Sequence, residues 1–186
     1  DIFLPNIEEL TFLLKRDRYD EICQSTSGAF VDGVSTDLFR ELSQTVLDHG
    51  VKAVLIKSGI HGVYLRTGSP DVWKKGGRGL QDISDNWHDR EMWAPAFKVN
   101  VEGTTGAGDA AVGGFLASVL QGTDPETALL MSAAAGACSV ESPARVRADV
   151  KQAFANGAVP IGIAVAGGAV LVILIFTLQR IFQVGG

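Results

Sequence analysis

The chain has 186 residues and carries a formal net charge of −5, with an isoelectric point near 5.1. That length is sufficient for one domain with a hydrophobic core and a short additional segment. Nucleic-acid-binding proteins present a surplus of Lys and Arg, so the acidic balance excludes a nucleic-acid partner. The mean hydropathy of +0.20 is high for a soluble domain, and the excess lies mainly near the C-terminus.

The first predicted elements are a short strand and a helix. Ile2-Phe3-Leu4 is apolar and predicts a strand, and residues 7–15 carry apolar side chains at helical spacing. Asn6 is placed to cap that helix, and Glu9 occupies its third position. This is the arrangement of a capping box, in which two unpaired amides are satisfied reciprocally.

A helix, two strands and a later helix follow. Thr36-Asp37 begins the first of these helices, and Gly50 follows its end, where a left-handed residue is common. Its predicted inner face consists of Leu38, Phe39, Leu42, Val46 and Leu47. Residues 51–57 are apolar except for lysines, as expected of a buried strand, and residues 63–65 predict a second strand after a glycine turn. Asp124-Pro125-Glu126 has the pattern of a capped helix start.

The central stretch is 103–109, Gly-Thr-Thr-Gly-Ala-Gly-Asp. Residues 97–101 alternate apolar and polar side chains and predict a strand, and helical spacing follows from residue 110 to 120. The stretch is therefore predicted to turn sharply from strand to helix, with Gly106 and Gly108 allowing close approach of a ligand. The first amides of a helix lack acceptors and attract anions, phosphate above all. A carboxylate there, that of Asp109, suits deprotonation of a hydroxyl beside an incoming phosphoryl group.

Two other interpretations of this stretch remain open. Gly106-x-Gly108-x-x-Ala111 also fits a loose dinucleotide-binding fingerprint after a strand. Asp109 would, however, repel a pyrophosphate bound in that turn. The second alternative is a glycine-rich start of a helix that binds no ligand.

Residues 104–109, Thr-Thr-Gly-Ala-Gly-Asp, resemble the signature of the ribokinase-like (PfkB) carbohydrate kinases. The resemblance implies that Asp109 is the catalytic base and that the amides of Gly106, Ala107 and Gly108 form an anion hole for the transferring phosphoryl group. Thr105 of the same signature is implied to border the nucleotide. The family usually has an aspartate before the two threonines, where this chain has Gly103.

Two further segments resemble motifs of that family in the same order. Asn6-x-x-Glu9 is similar to a motif that helps to place Mg²⁺ and the phosphates. Lys57-x-Gly59-x-x-Gly62 is similar to a segment beside ATP. The resemblance thus implies ATP, Mg²⁺ and a sugar substrate. Residues 69–91 are predicted to form either a loop over the nucleotide or, as we favour, a surface excursion held by its tryptophans.

The resemblance covers residues 1–157 and implies the C-terminal half of a ribokinase-like fold, a mostly parallel sheet with helices on both faces. Residues 146–155 resemble the last helix of the family. The family's N-terminal half, which carries most sugar contacts, has no counterpart in this sequence. We therefore expect the chain alone to be nearly inactive. The alternative is a non-catalytic, kinase-like subunit that docks in a larger membrane assembly. Assembly of two copies into a homodimer is a further alternative.

The C-terminal segment, 158–186, contains an apolar run. Residues 159–178 hold no charged side chain, and twenty helical residues would span about 30 Å, the thickness of a bilayer core. We predict a single transmembrane helix; a β-hairpin that turns at Gly167-Gly168 is the alternative. Three basic residues precede the run and one follows it, which places the kinase-like domain on the cytoplasmic side.

Overall fold

A computed structural model describes residues 1–77, 80 and 83–141 of the chain. The strands are β1 (Ile2–Phe3), β2 (Ala53–Lys57), β3 (Val63–Thr67) and β4 (Glu91–Ala94). The helices are α1 (Ile7–Leu14), α2 (Arg16–Ser25), α3 (Thr36–Asp48), α4 (Pro70–Trp73), α5 (Ala107–Leu120) and α6 (Pro125–Glu141), with short 3₁₀ turns at Phe30–Gly33, Gly59–His61 and Asp85–Trp87.

The sheet is covered by helices on both faces, as the sequence predicts. Along β2, Ala53 and Leu55 pack into a core formed with α5 and α6. Val54 and Ile56 point the other way, into a core formed with α1, α2 and α3. Successive side chains of a strand alternate between faces, so a continuous apolar run is what a strand between two helical layers requires. The five predicted inner residues of α3 all lie in the second core.

The strand directions differ from the prediction of a mostly parallel sheet. The order is β1-β2-β3-β4, in which β1 and β2 are parallel while β3 is antiparallel to both β2 and β4. A parallel connection needs a crossover of a dozen residues or more. The short turn at Gly59–His61 permits only an antiparallel return, so this part of the sheet is mixed.

The predicted strand at 97–101 is also wrong. In the described part of the chain β4 ends at Ala94, and residues 95–101 take irregular backbone. Pro95 has no amide to donate to a ladder. The alternating apolar residues are not buried on one face, because Phe97 is 49% exposed and Val101 is 61% exposed. The irregular segment leads directly to α5.

The segment from Ser69 to Glu91 is held against the core by its tryptophans. Trp73 and Trp87 are buried and their rings meet edge to face. Their indole N–H groups donate to the carbonyl oxygens of Gly68 and Thr123, both at 3.1 Å. This geometry agrees with the surface excursion rather than with a loop over a ligand.

Several predictions concern residues that the structure does not describe. They are the helix at 146–155, the boundary at 157/158 and the apolar run at 159–178, and they stay predictions. None of the helices within the described ranges combines the length and the apolar character needed to cross a bilayer.

The start of α6 offers a test of its predicted cap. The Asp124 carboxylate accepts the Thr127 amide at 2.7 Å, and this bond, with the Thr127 hydroxyl, lowers the pKa of Asp124. A lowered folded-state pKa means that ionised Asp124 stabilises the fold fully above the unfolded pKa of about 3.9, and that this contribution is lost as pH falls through the folded value. We expect Asp124→Ala to lower Tm at neutral pH, with a gap to wild type that narrows in acid. Thermal melts across a pH series check this, and a gap independent of pH contradicts it.

Candidate active site

Helix α5 begins at Ala107, within the stretch that was predicted to be a turn, and its first turn is open. Gly106 precedes it with φ +86°, in the left-handed region where glycine is unstrained. The Ala107 amide donates to the Thr104 carbonyl at 3.2 Å. In the described ranges, the amides of Gly106, Gly108 and Asp109 donate to no backbone oxygen, and no side chain caps the helix. Of the three amides that the resemblance assigns to an anion hole, that of Ala107 is therefore engaged within the protein.

The Asp109 side chain is exposed on this first turn. It does not cap α5, and among the described residues it makes neither a hydrogen bond nor an ion pair. A carboxylate at the positive end of a helix without a structural partner is available to a substrate proton.

A cavity of about 820 Å³ brings distant parts of the sequence together beside this turn. Its walls come from the start of α1, the end of β2 and the turn that follows, the segment 96–101, and helices α5 and α6. Six of the residues singled out in the sequence line it: Asn6, Lys57, Gly59, Gly62, Ala107 and Gly108. Glu9, Thr105, Gly106 and Asp109 are not part of the lining, although the last two adjoin it; Thr104 lines it in place of Thr105. No residue of the excursion 69–91 that the structure describes lines it.

The sheet explains how Asn6 and Lys57 meet. Asn6 and Lys57 form a parallel bridge that continues the pairing of β1 with β2, and the Lys57 amide donates to the Pro5 carbonyl at 3.0 Å. The start of α1 and the end of β2 therefore lie side by side at one edge of the sheet. In α/β folds, ligands bind in the crevice at the carboxyl ends of strands.

Comparison with known proteins identifies the family of the chain. The model of the pfkB family of carbohydrate kinases matches residues 1–148. The chain belongs to the pfkB family.

Individual relatives align with only part of this chain, and this chain aligns with a smaller part of each relative. The deoxyribokinase of Salmonella typhi is 28% identical over 142 residues, which is 75% of this chain and 34% of the relative. The 2-dehydro-3-deoxygluconokinase of Thermoproteus tenax is 42% identical over 69 residues, 37% of this chain and 20% of the relative. An apo structure assigned as ribokinase II from E. coli aligns at TM-score 0.51 and 22% identity, covering 76% of this chain and 33% of that one, and shows the fold alone. The chain spans about a third of these kinases or less.

In this pfkB chain the turn after β2 depends on glycine for two different reasons. Gly59 has φ +55° and open space around its missing side chain. Gly62 has φ +93°, and a Cβ there would overlap the Ala94 carbonyl oxygen and lie 2.7 Å from the backbone of both Pro95 and Ala96. Gly62 therefore lets the turn pack against the segment that forms another cavity wall.

Asn6 and Glu9 form the predicted capping box. The Glu9 amide donates to Asn6 Oδ1 at 2.6 Å, and the Asn6 amide donates to Glu9 Oε2 at 3.1 Å. No cluster of three or more His, Cys, Asp or Glu that could hold a metal occurs among the described residues. Mg²⁺ commonly takes only one or two protein oxygens together with substrate phosphates. The unused oxygen of Glu9 and the cavity-lining Glu8 fit such a loosely held ion, and a metal cage of protein ligands does not fit.

Sequence reasoning placed a helix here but singled out none of the residues with which α6 lines the cavity. Ser132, Ala133, Gly136, Ala137 and Val140 line the cavity at helical spacing. Small residues let α6 approach α5, so that a Cβ on Gly136 would lie 3.4 Å from the Ala107 carbonyl oxygen. The Glu102 amide donates to the Val140 carbonyl at 2.8 Å. This bond holds the beginning of the stretch 103–109 against the C-terminal part of α6. The alanine- and glycine-rich composition of α6 was the available signal, but it specifies close packing and not a ligand.

Proposed function

We propose that this chain supplies the ATP site and the phosphoryl-transfer centre of a carbohydrate kinase, with a sugar or sugar-like hydroxyl as acceptor. The observation that supports this most strongly is the exposed Asp109 carboxylate on an uncapped helix start, beside a cavity that also holds Lys57. Membership of the pfkB family supports the same reaction class.

In the proposed reaction, Asp109 accepts the proton of the acceptor hydroxyl as its oxygen attacks the terminal phosphorus of ATP and the bond to the β-phosphate oxygen breaks. The amides of Gly106, Gly108 and Asp109 stabilise the charge on the transferring group, where fixed dipoles need no reorganisation. Bound Mg²⁺ neutralises phosphate charge. Asn6 and Glu9 would hold it, together with the phosphates, from the start of α1.

The nucleotide fits the cavity by volume and by chemistry. Ligand pockets commonly measure about 300–1,000 Å³ and are mostly apolar with a few placed polar groups. Here Ala133, Gly136 and Ala137 offer a flat, small-residue wall for a base. Lys57 and the α5 amides offer positive charge for the phosphates.

Nucleotide preference tests the proposal with this chain. We expect ATP to raise Tm by several degrees and NAD to leave it unchanged within error, because only ATP carries a terminal phosphoryl group that can lie between the α5 amides and Lys57. Thermal-shift titrations with both nucleotides make the comparison. Stabilisation by NAD alone would favour the dinucleotide-binding interpretation and would contradict the kinase.

Phosphoryl transfer requires an active site that closes over its substrates and excludes water, and this closure depends on the whole fold. A chain that spans about a third of a kinase does not contain all of the residues needed. We therefore propose that the chain alone binds ATP with little turnover. Transfer assays should accordingly include a fusion to the N-terminal part of the Salmonella deoxyribokinase, with deoxyribose as acceptor. Binding without transfer in that fusion would favour the non-catalytic subunit.

A further inference from the structure

His61 lies where three walls of the cavity come together. It is the last residue of the 3₁₀ turn after β2, and the residues on either side of it line the cavity. Its carbonyl oxygen accepts the Trp93 indole N–H at 2.7 Å, which connects this turn to β4, just before the wall formed by residues 96–101. Its imidazole Nε2 lies 3.1 Å from Asp32 Oδ1, which connects the turn to a third wall.

The third wall is the segment 29–33, which contains the first of the 3₁₀ turns. Its first three residues line the cavity. The Phe30 ring stacks on the Tyr19 ring of α2, with the centroids 5.1 Å apart and the planes inclined by 26°. A Cβ on Gly33 would overlap the hydroxyl of Thr26 at the end of α2. The segment 29–33 therefore rests directly on α2.

The contact between Asp32 and His61 joins parts of the chain that local structure does not hold together. The two residues are 29 positions apart in the sequence, and their side chains are 45% and 46% exposed. Neither residue lines the cavity itself. A pair that is so exposed contributes little to the stability of a fold. Its effect is therefore expected in the arrangement of the two walls and only weakly in the thermal stability.

We propose that Asp32 and His61 are positioning residues whose contact holds the segment 29–33 and the turn after β2 together around the bound ligand. The assignment rests on the proposed function, in which that ligand is ATP. The ligand binds only the arrangement in which the walls are together, so the apparent affinity falls in proportion to the population of that arrangement. The contact raises the affinity by pre-organising the cavity, although neither side chain touches the ligand.

Asp32→Ala distinguishes this role from a direct effect of charge. Asp32 places a negative charge near a site for an anionic ligand, so by Coulomb's law alone its removal would strengthen ATP binding. The positioning role predicts the opposite, a weakening of ATP binding by about two- to fivefold, which is the range that an exposed pair supplies. His61→Ala should weaken binding by a similar factor. The double variant should bind no more weakly than the weaker single variant, because each residue acts through the other.

Isothermal titration of the full chain with ATP measures these affinities. The matched control is Asp85→Ala, which removes the carboxylate from another exposed pair outside the cavity, that of Asp85 with His88 at 3.7 Å. This control should leave the ATP affinity unchanged within error. The Tm of each variant should stay within about 4 °C of wild type, so that a loss of affinity is not a loss of folding.

Hydrogen exchange followed by mass spectrometry provides a second measurement that needs no ligand. The amides of His61 and Gly62 donate to the carbonyl oxygens of Ser58 and Gly59, both at 3.0 Å, within the turn after β2. We expect these amides to exchange faster in Asp32→Ala than in wild type or in Asp85→Ala, because the turn opens more often.

The two measurements separate this assignment from the proposed function. If wild type does not bind ATP, the proposed function fails. In that case faster exchange in Asp32→Ala still supports the contact between the walls, and equal exchange overturns it. If wild type binds ATP, then unchanged or tighter binding in Asp32→Ala, or additive losses in the double variant, overturns the positioning role and leaves the ATP site intact.

Discussion

Replacing Asp109 with Asn should lower the rate of phosphoryl transfer by about 10²–10⁴-fold, the range that a positioned general base contributes. The amide keeps the shape of the carboxylate but cannot accept the hydroxyl proton. ATP affinity should stay the same or increase slightly, because one negative charge beside the phosphates is removed. Initial rates of acceptor-dependent ADP release, in the fusion defined above, measure the effect, and titration calorimetry measures the affinity.

The matched control for this variant is Asp85→Asn. Asp85 is fully exposed at a 3₁₀ turn of the excursion and lies outside the cavity. Its replacement by Asn removes the same charge as Asp109→Asn. Its rate should equal that of wild type within about twofold. Transfer by Asp109→Asn at more than a tenth of the wild-type rate would remove Asp109 from the role of base. A loss of ATP binding in that variant would instead indicate a structural role.

Local patterns predicted much of the fold because they report local energetics. Helix α3 begins at Thr36, as predicted, with Ser35 as its cap, and Gly50 just after its end has a left-handed φ of +84°. The apolar run of β2 was sufficient to predict burial on two faces. Strand direction could not be read in this way, because it depends on which segments become neighbours.

The strand at 97–101 was wrongly predicted because strand pairing, like strand direction, depends on which segments become neighbours. Alternation at period two describes which way side chains point, but a strand also needs a partner with free amides and carbonyls. After Pro95 the chain leaves the sheet and lines the cavity, so its apolar residues Phe97 and Val101 stay exposed. Whether a segment pairs or lines a crevice is decided by tertiary packing.

The candidate site was predicted in its parts but not in its contacts. The order of the motifs was enough to expect Asn6, Lys57 and Gly108 in one place, and the cavity gathers them. The sequence could not show that the Ala107 amide is engaged by Thr104, since that depends on the exact turn. Nor could it single out Ser58, whose buried Oγ has no hydrogen-bond partner among the described residues, because such a gap is visible only once the neighbours are placed.

Replacing Gly62 with Ala should be among the most destabilising single changes in this chain, costing about 3 kcal/mol or more. Its φ of +93° lies with ψ of −138° in a region that is close to glycine-only, at about 1–3 kcal/mol for another residue. The added Cβ also overlaps backbone atoms of residues 94–96, which cannot rotate away as a side chain would. Overpacking of this kind costs about 1–3 kcal/mol more. Urea unfolding at equilibrium measures the loss.

The matched control for Gly62 is Gly59→Ala in the same turn. Gly59 also has a positive φ, but nothing lies within 4 Å of its missing side chain. The control should therefore show only the cost of the backbone conformation, about 1–2 kcal/mol. The difference between the two variants isolates the overlap with residues 94–96. Equal losses in both would mean that the turn moves away from that segment, and the cavity wall would then have to be adaptable rather than fixed.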